Sequence, residues 1–94
     1  MAVLTDSEIQ QALGSLSGWQ RNDGGAIQRV FRFPDFKLAM QFVNKVADAA
    51  EQANHHPDID IRYNTVVMAL ISHDSGGVTQ RDVRMAGTIN KIAG

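Results

Sequence analysis

The residues whose types and spacing could do chemistry are the three histidines, His55, His56 and His73, together with the acidic residues Glu51 and Asp82. Imidazole has an unperturbed pKa of about 6.5, so a histidine can give or take a proton near neutral pH. A neighbouring carboxylate favours the protonated form of an imidazole and can hold its ring in one orientation. This stretch therefore predicts general acid/base chemistry, provided that the fold brings its side chains together.

Each of these residues also has a purely structural interpretation. Glu51 and His55 would share a helix face if the helix continued that far, and the carboxylate could then orient the imidazole. Histidines also occur at helix ends, because the negative pole of the dipole favours them. His73 lies in a polar run typical of a solvated loop, and a helix cap already explains an acidic residue at Asp82. On residue types alone, the structural interpretation is the stronger one.

Other kinds of site are less well supported. A metal ligand set of His55, His73 and Asp82 is conceivable, but no two histidines have His-x-His or His-Glu-x-x-His spacing, so we predict no metal. The chain has no cysteine, which excludes disulfides and thiolate chemistry. It also lacks a glycine-rich phosphate loop and a Gly-x-Ser-x-Gly nucleophile motif.

Length and composition indicate a single globular domain spanning residues 1–94, with 44% hydrophobic and 20% charged residues. The net charge of −1, with both signs interspersed, predicts no direct contact with nucleic acid or anionic lipid. No apolar run approaches the roughly 20 residues that span a bilayer, and no signal-peptide pattern is present. We therefore expect a soluble, cytoplasmic protein with no membrane partner.

The first half of the chain predicts a helix, a hairpin and a long helix. Thr5 and Glu8 have the spacing of a capping box that opens the first helix. Residues 19–21 and 26–33 read as two strands joined by a turn at residues 22–25. Asp35 is the predicted N-cap of an amphipathic helix of about five turns that ends before Pro57. Its expected core positions are Phe36, Ala39, Met40, Val43, Val46, Ala47 and Ala50.

The second half predicts another hairpin and a last helix. Residues 58–62 alternate strictly, with Ile59 and Ile61 on one face, and residues 65–71 are apolar on both faces. A strand buried on both sides needs two covers, and in so small a chain a second subunit is the expected second cover. Thr79 and Asp82 form a second capping box, which opens the last helix.

The element order is therefore α-β-β-α-β-β-α, which predicts an α+β fold: a four-stranded antiparallel sheet with helices packed on one face. We expect Phe31, Phe33 and Phe42 to join Phe36 in the core. Trp19 fits either the core or a contact with a flat ligand.

The pattern Glu51-x-x-x-His55-His56-Pro57, followed by Tyr63, His73 and Asp82, resembles the signature of the pterin-4a-carbinolamine dehydratases. The run from Phe31 into the long helix is also similar to that family, as is Thr79-x-x-Asp82. The resemblance extends from about residue 19 to the end of the chain. The N-terminal helix contains nothing diagnostic.

The resemblance implies a hydro-lyase, 4a-hydroxytetrahydrobiopterin dehydratase, which removes water from a 4a-hydroxytetrahydropterin and so recycles the pterin used by aromatic amino acid hydroxylases. By matching position, His55 and His73 would be the acid/base pair and His56 would hold the pterin. Glu51 and Asp82 would orient imidazoles. The reaction needs only a general acid and a general base, so no metal or cofactor is implied.

The same resemblance leaves a second function open. Some animal members of the family also act as dimerisation cofactors of a homeodomain transcription factor, so an oligomeric binding module or transcriptional coactivator is the alternative to turnover. The family tends to form dimers that pair into tetramers, and a homodimer or homotetramer is expected here.

Overall fold

A computed structural model describes residues 2–94 of the chain. Its elements follow the predicted order: α1 (Asp6–Leu13), β1 (Gln20–Arg21), β2 (Ile27–Arg32), α2 (Phe36–Ala53), β3 (Asp58–Arg62), β4 (Thr65–Leu70) and α3 (Gln80–Ala93). The predicted strand boundaries differ from these by one residue at most, because Trp19, Ala26, Phe33 and Ile71 lie just outside the strands.

The four strands form one antiparallel sheet in the order β1-β2-β4-β3. Residues that lie directly opposite each other share a face, so Ile27, Phe31, Val66, Met68 and Leu70 point to the same side. All five are buried, because the helices cover the part of this face that β2 and β4 form. The α+β architecture with helices on one face is confirmed.

The helix starts follow the predicted chemistry. The Thr5 and Glu8 capping box is present at α1, and the Thr79 and Asp82 capping box at α3. At α2, the Asp35 side chain accepts a hydrogen bond from the backbone N–H of Leu38 at 2.8 Å. Each cap satisfies a helix N–H that has no partner within the helix, which fixes where the helix begins.

Two expected core positions on α2 were wrong. Phe36 is 49% exposed, and Ala47 is also exposed, whereas Ala39, Val46 and Ala50 are buried. The apolar residues of α2 span a wider arc than the face that packs on the sheet and α3. Residues at the margin of that arc therefore remain in contact with solvent.

Trp19 belongs to the core. It is 4% exposed, and its indole Nε1–H donates to Oδ1 of Asn90 at 2.8 Å. Arg29 also lies on the inner face of the sheet, with its guanidinium 4.4 Å from the centroid of the Phe31 ring. It donates to the same Asn90 oxygen at 2.7 Å, which explains how a charged residue is accommodated on an otherwise apolar face.

On the outer face of the sheet, Val67 and Ala69 of β4 are half-buried, and Val30 of β2 is 41% exposed. A second subunit over this face remains a prediction.

Within residues 2–94, no helix has the length and apolar character needed to cross a membrane.

Candidate active site

The first part of the candidate site is the C-terminal end of α2. The helix stops at Ala53, and Asn54 adopts the left-handed conformation with φ 50° and ψ 42°. The backbone N–H of His55 then donates to the carbonyl of Ala50 at 3.1 Å. Asparagine tolerates this conformation better than most residues, so the sequence provides a C-cap that turns the chain out of the helix immediately before the two histidines.

This turn changes which histidine Glu51 contacts. The pairing of Glu51 with His55 depended on the helix continuing to His55, and that condition is not met, because the helix ends at Ala53. Glu51 Oε2 instead contacts Nε2 of His56. Both side chains are more than half exposed, so this pair lies at the rim of the site.

The contact between His55 and Asp82 joins the end of α2 to the start of α3. Nε2 of His55 lies 2.5 Å from Oδ1 of Asp82, and the side chains are 11% and 0% exposed. The second carboxylate oxygen, Oδ2, accepts from the backbone N–H of Thr79 at 2.8 Å and from the hydroxyl of Ser72 at 2.9 Å. Asp82 therefore caps the helix with one oxygen and holds the imidazole with the other.

Ser72 and Thr79 complete this buried network. Their hydroxyl oxygens are 2.8 Å apart. Because the single Ser72 proton goes to Asp82, the Thr79 hydroxyl must donate to Ser72. Asp82 thus has three donors around a side chain that is closed to solvent, which is what a buried carboxylate needs.

The network also determines the tautomer that we assign to His55. An ionised carboxylate only accepts hydrogen bonds, so Nε2 of His55 must carry the proton. In a neutral imidazole the lone pair then lies on Nδ1. His55 can accordingly accept a proton at Nδ1, while Asp82 stabilises the imidazolium that forms.

His73 lies in the loop between β4 and α3. A bridge between Ser72 and Gly77 closes this loop, and Oδ1 of Asp74 accepts from Nη2 of Arg81 at 2.6 Å. This hydrogen bond lowers the pKa of Asp74 below its ordinary value of 3.8. The His73 imidazole is exposed and makes no hydrogen bond to another side chain in the described part of the chain, so both of its nitrogens are available to a ligand.

All three histidines line one open cleft with a volume of about 330 Å³. Its other lining residues are Asn54, Ile71, Ser72, Asp74 and Arg81. Glu51 and Asp82 do not line the cleft themselves, but each contacts a histidine that does. The fold thus gathers side chains from a helix end, a strand end and a helix start.

Three residues of the candidate site were not predicted from the sequence. Arg81 lines the cleft, Ser72 binds Asp82, and Asn54 makes the turn that directs His55. Arg81 immediately precedes Asp82 and Ser72 immediately precedes His73, so proximity in the chain was the only signal available for them.

Among residues 2–94, no group of three or more His, Asp or Glu side chains is placed to hold a metal ion. Nε2 of His55 contacts Asp82 and Nε2 of His56 contacts Glu51, so these two nitrogens already have partners. Imidazoles that are held by carboxylates in this way can donate and accept protons.

Comparison with known proteins identifies similar sequences over the whole domain. The family model described as pterin 4 alpha carbinolamine dehydratase matches residues 2–92. A protein of Koribacter versatilis (strain Ellin345) is 64% identical over 96% of this chain and 95% of its own length. A protein of Mycobacterium avium (strain 104) is 53% identical over 100% of this chain and 99% of its own length. Both carry the provisional name pterin-4-alpha-carbinolamine dehydratase.

Two solved structures have the same fold. The crystal structure of a transcriptional coactivator/pterin dehydratase from Brucella melitensis superposes with a TM-score of 0.94 at 45% identity, covering 98% of this chain and 99% of that one. A pterin dehydratase-like protein identified as a RuBisCO assembly factor in the alpha-carboxysome superposes with a TM-score of 0.71 at 18% identity. The match covers 82% of this chain and 90% of that one. At that identity the second likeness shows the fold alone.

Proposed function

The chain belongs to the pterin-4a-carbinolamine dehydratase family, and on that premise we propose that it dehydrates a 4a-hydroxytetrahydropterin. The observation that supports this function most directly is the cleft lined by His55, His56 and His73, in which Asp82 holds the His55 ring. The dehydration needs one general acid and one general base, and histidine side chains can serve as both.

In the proposed mechanism, the C4a–O bond of the substrate breaks and the hydroxyl leaves as water after taking a proton from the acid. The N5 lone pair forms the C4a=N5 double bond, and the N5 proton passes to the base. Nδ1 of His55 is the base, because Asp82 holds the proton on Nε2 and stabilises the resulting imidazolium. His73, which also lines the cleft, is the acid in this proposal.

His56 and Glu51 have a different role in this proposal. Their pair lies at the exposed rim of the cleft, where His56 can hydrogen-bond the pterin ring and Glu51 can fix the imidazole orientation. The product is the quinonoid dihydropterin, so the physiological role would be recycling of the pterin used by aromatic amino acid hydroxylases, in the cytoplasm.

The test is the decay of a chemically generated carbinolamine, followed by absorbance with and without the protein. We expect the wild-type chain to accelerate the decay, and His55→Ala and His73→Ala each to reduce that acceleration by about 10²–10⁴-fold. Exhaustive dialysis against a chelator should leave the rate unchanged. A wild-type protein that leaves the spontaneous rate unaltered would refute the proposal.

A second candidate is an oligomeric binding module that uses the same fold, as a coactivator does. The similar protein of Brucella melitensis is described as a transcriptional coactivator/pterin dehydratase, and α2 of this chain exposes Phe36 at 49% and Leu38 at 41%. We also propose that the chain forms a homodimer or homotetramer. The strand β4 is apolar on both faces, and a second subunit would cover the face that the helices leave open. Sedimentation that shows only monomer at micromolar concentration would contradict the homo-oligomer, and with it the oligomeric module.

A further inference from the structure

A second, smaller cavity adjoins the histidine cleft. It has a volume of about 90 Å³ and occupies the space between the end of α2 and the first turns of α3. Its lining residues are Ala53, His55, Arg81, Arg84, Met85 and Thr88. His55 and Arg81 line both this cavity and the cleft, so the two spaces share a wall.

Four polar side chains line this cavity, and two of them, Arg81 and Arg84, are cationic. Arg81 and Arg84 are three residues apart and therefore lie on one face of α3. The guanidinium of Arg84 has no hydrogen-bond or ion-pair partner among residues 2–94, where five side-chain ion pairs occur. Arg81 contacts Asp74 through Nη2, while its Nε is buried and has no partner in the same part of the chain.

No carboxylate of the described chain lines the cavity to neutralise these two arginines. Asp82 is close in sequence, but both of its oxygens already accept hydrogen bonds from His55, Ser72 and Thr79. Asp74 serves only one end of the Arg81 guanidinium. The cavity therefore has unused N–H donors and positive charge, which is the arrangement that binds an oxyanion.

We propose that this cavity is a subsite for an oxyanion, carboxylate or phosphate, borne on the 6-substituent of the pterin. The inference rests on the proposed function and specifies its substrate class. A pterin ring in the histidine cleft would place a substituent against the shared wall of His55 and Arg81. The apolar side chains of Ala53 and Met85 would contact its carbon atoms, and Arg81 and Arg84 would bind its terminal charge.

The test is equilibrium binding of two stable, oxidised pterins that differ by one phosphoryl group: 6-hydroxymethylpterin and its phosphate monoester. Neither probe turns over, so the measurement is independent of the dehydratase assay. We expect the wild-type protein to bind the ester at least about tenfold more tightly than the alcohol. Arg84→Gln should reduce that preference to about twofold, and Arg84→Lys should retain more of it.

The matched control is Lys91→Gln, which removes the same charge from an exposed position on the same helix without touching the cavity. It should leave the preference for the ester unchanged. An equal loss of preference in Lys91→Gln and Arg84→Gln would overturn the subsite, because a diffuse electrostatic effect of the helix would then explain the binding.

Inorganic phosphate alone distinguishes a bound substituent from a free anion. Weak competition with the ester, and none with the alcohol, supports the proposal. Phosphate that binds as tightly as the ester overturns it, since the anion would not need the pterin. A protein that accelerates carbinolamine decay but binds both pterins equally refutes the subsite alone. One that prefers the ester without accelerating decay refutes the dehydratase function alone.

Discussion

Nε2 of His55 and Oδ1 of Asp82 lie 2.5 Å apart, and the carboxylate that makes this contact is closed to solvent. The same carboxylate caps α3 through Oδ2, which accepts from the backbone N–H of Thr79. A residue that is 27 positions away in sequence thus orients the imidazole, and the helix cap determines where that residue is placed.

Asp82→Asn should separate the two roles of this carboxylate. The amide keeps the shape of the side chain but loses the charge and one acceptor, so we expect a loss of about 1–3 kcal/mol in the free energy of unfolding. The rate of carbinolamine decay should fall by about 10²-fold or more, because an amide does not stabilise the imidazolium. Urea unfolding and the decay assay measure the two effects.

Thr79→Ala is the matched control for that experiment. It removes the cap hydroxyl and should cost about 1 kcal/mol, while the Asp82 carboxylate stays beside His55. Activity should stay within a few-fold of wild type. A loss of activity as large as that of Asp82→Asn would mean that the effect of Asp82 is entirely structural.

Glu51→Gln should have a much smaller effect than Asp82→Asn. The pair of Glu51 and His56 is largely exposed, and pairs of this kind are worth at most about 1 kcal/mol. We expect unfolding to be unchanged within about 0.5 kcal/mol and KM for the carbinolamine to rise by about two- to fivefold. Asp48→Asn, another exposed acid on α2, is the control and should change neither.

Asn54 should be sensitive to substitution because of its backbone conformation. Alanine in the left-handed region costs about 1–2 kcal/mol, whereas glycine adopts it without strain. We expect Asn54→Ala to lower both stability and kcat, since the same turn directs His55 towards Asp82. Asn54→Gly should be close to wild type in both measurements. Equal behaviour of the two variants would show that the turn does not control the site.

The ion pair between Asp74 and Arg81 predicts a pH dependence of stability. The hydrogen bond from Arg81 lowers the pKa of Asp74 in the folded state below the ordinary value of 3.8. A lowered carboxyl pKa contributes stability above the unfolded-state pKa, and this contribution is lost as the pH falls through the folded-state pKa. The difference in Tm between wild type and Asp74→Asn should therefore be constant near neutral pH. It should disappear once the pH is below the folded-state pKa of Asp74.

Two comparisons check the origin of this pH effect. Asp23→Asn, in the exposed turn between β1 and β2, should show no such pH-dependent difference. High salt should reduce the effect of Asp74→Asn, because the Asp74 side chain is 69% exposed and dissolved ions can screen its charge. A difference in Tm that persists unchanged to low pH would contradict the assignment to this ion pair.

Much of the fold follows from local signals in the sequence. The two capping boxes, the Asp35 N-cap and the strict alternation in β3 each extend over five residues or fewer, so the local sequence specifies where those elements begin. The position of Phe36 was not predictable in this way. Its spacing agrees with the core face of α2, but only the packing of neighbouring elements decides how wide that face is.

The candidate site shows the same division between what local sequence specifies and what packing decides. The sequence by itself determined which groups are candidates for the chemistry, because the spacing of the three histidines and the two acids resembles the signature of one family. Only the tertiary structure decided which acid serves which histidine. One left-handed residue, Asn54, turns the chain so that Glu51 contacts His56, and packing of α3 against α2 brings Asp82 to His55. Pairings of that kind depend on distances in space, which helical spacing does not encode.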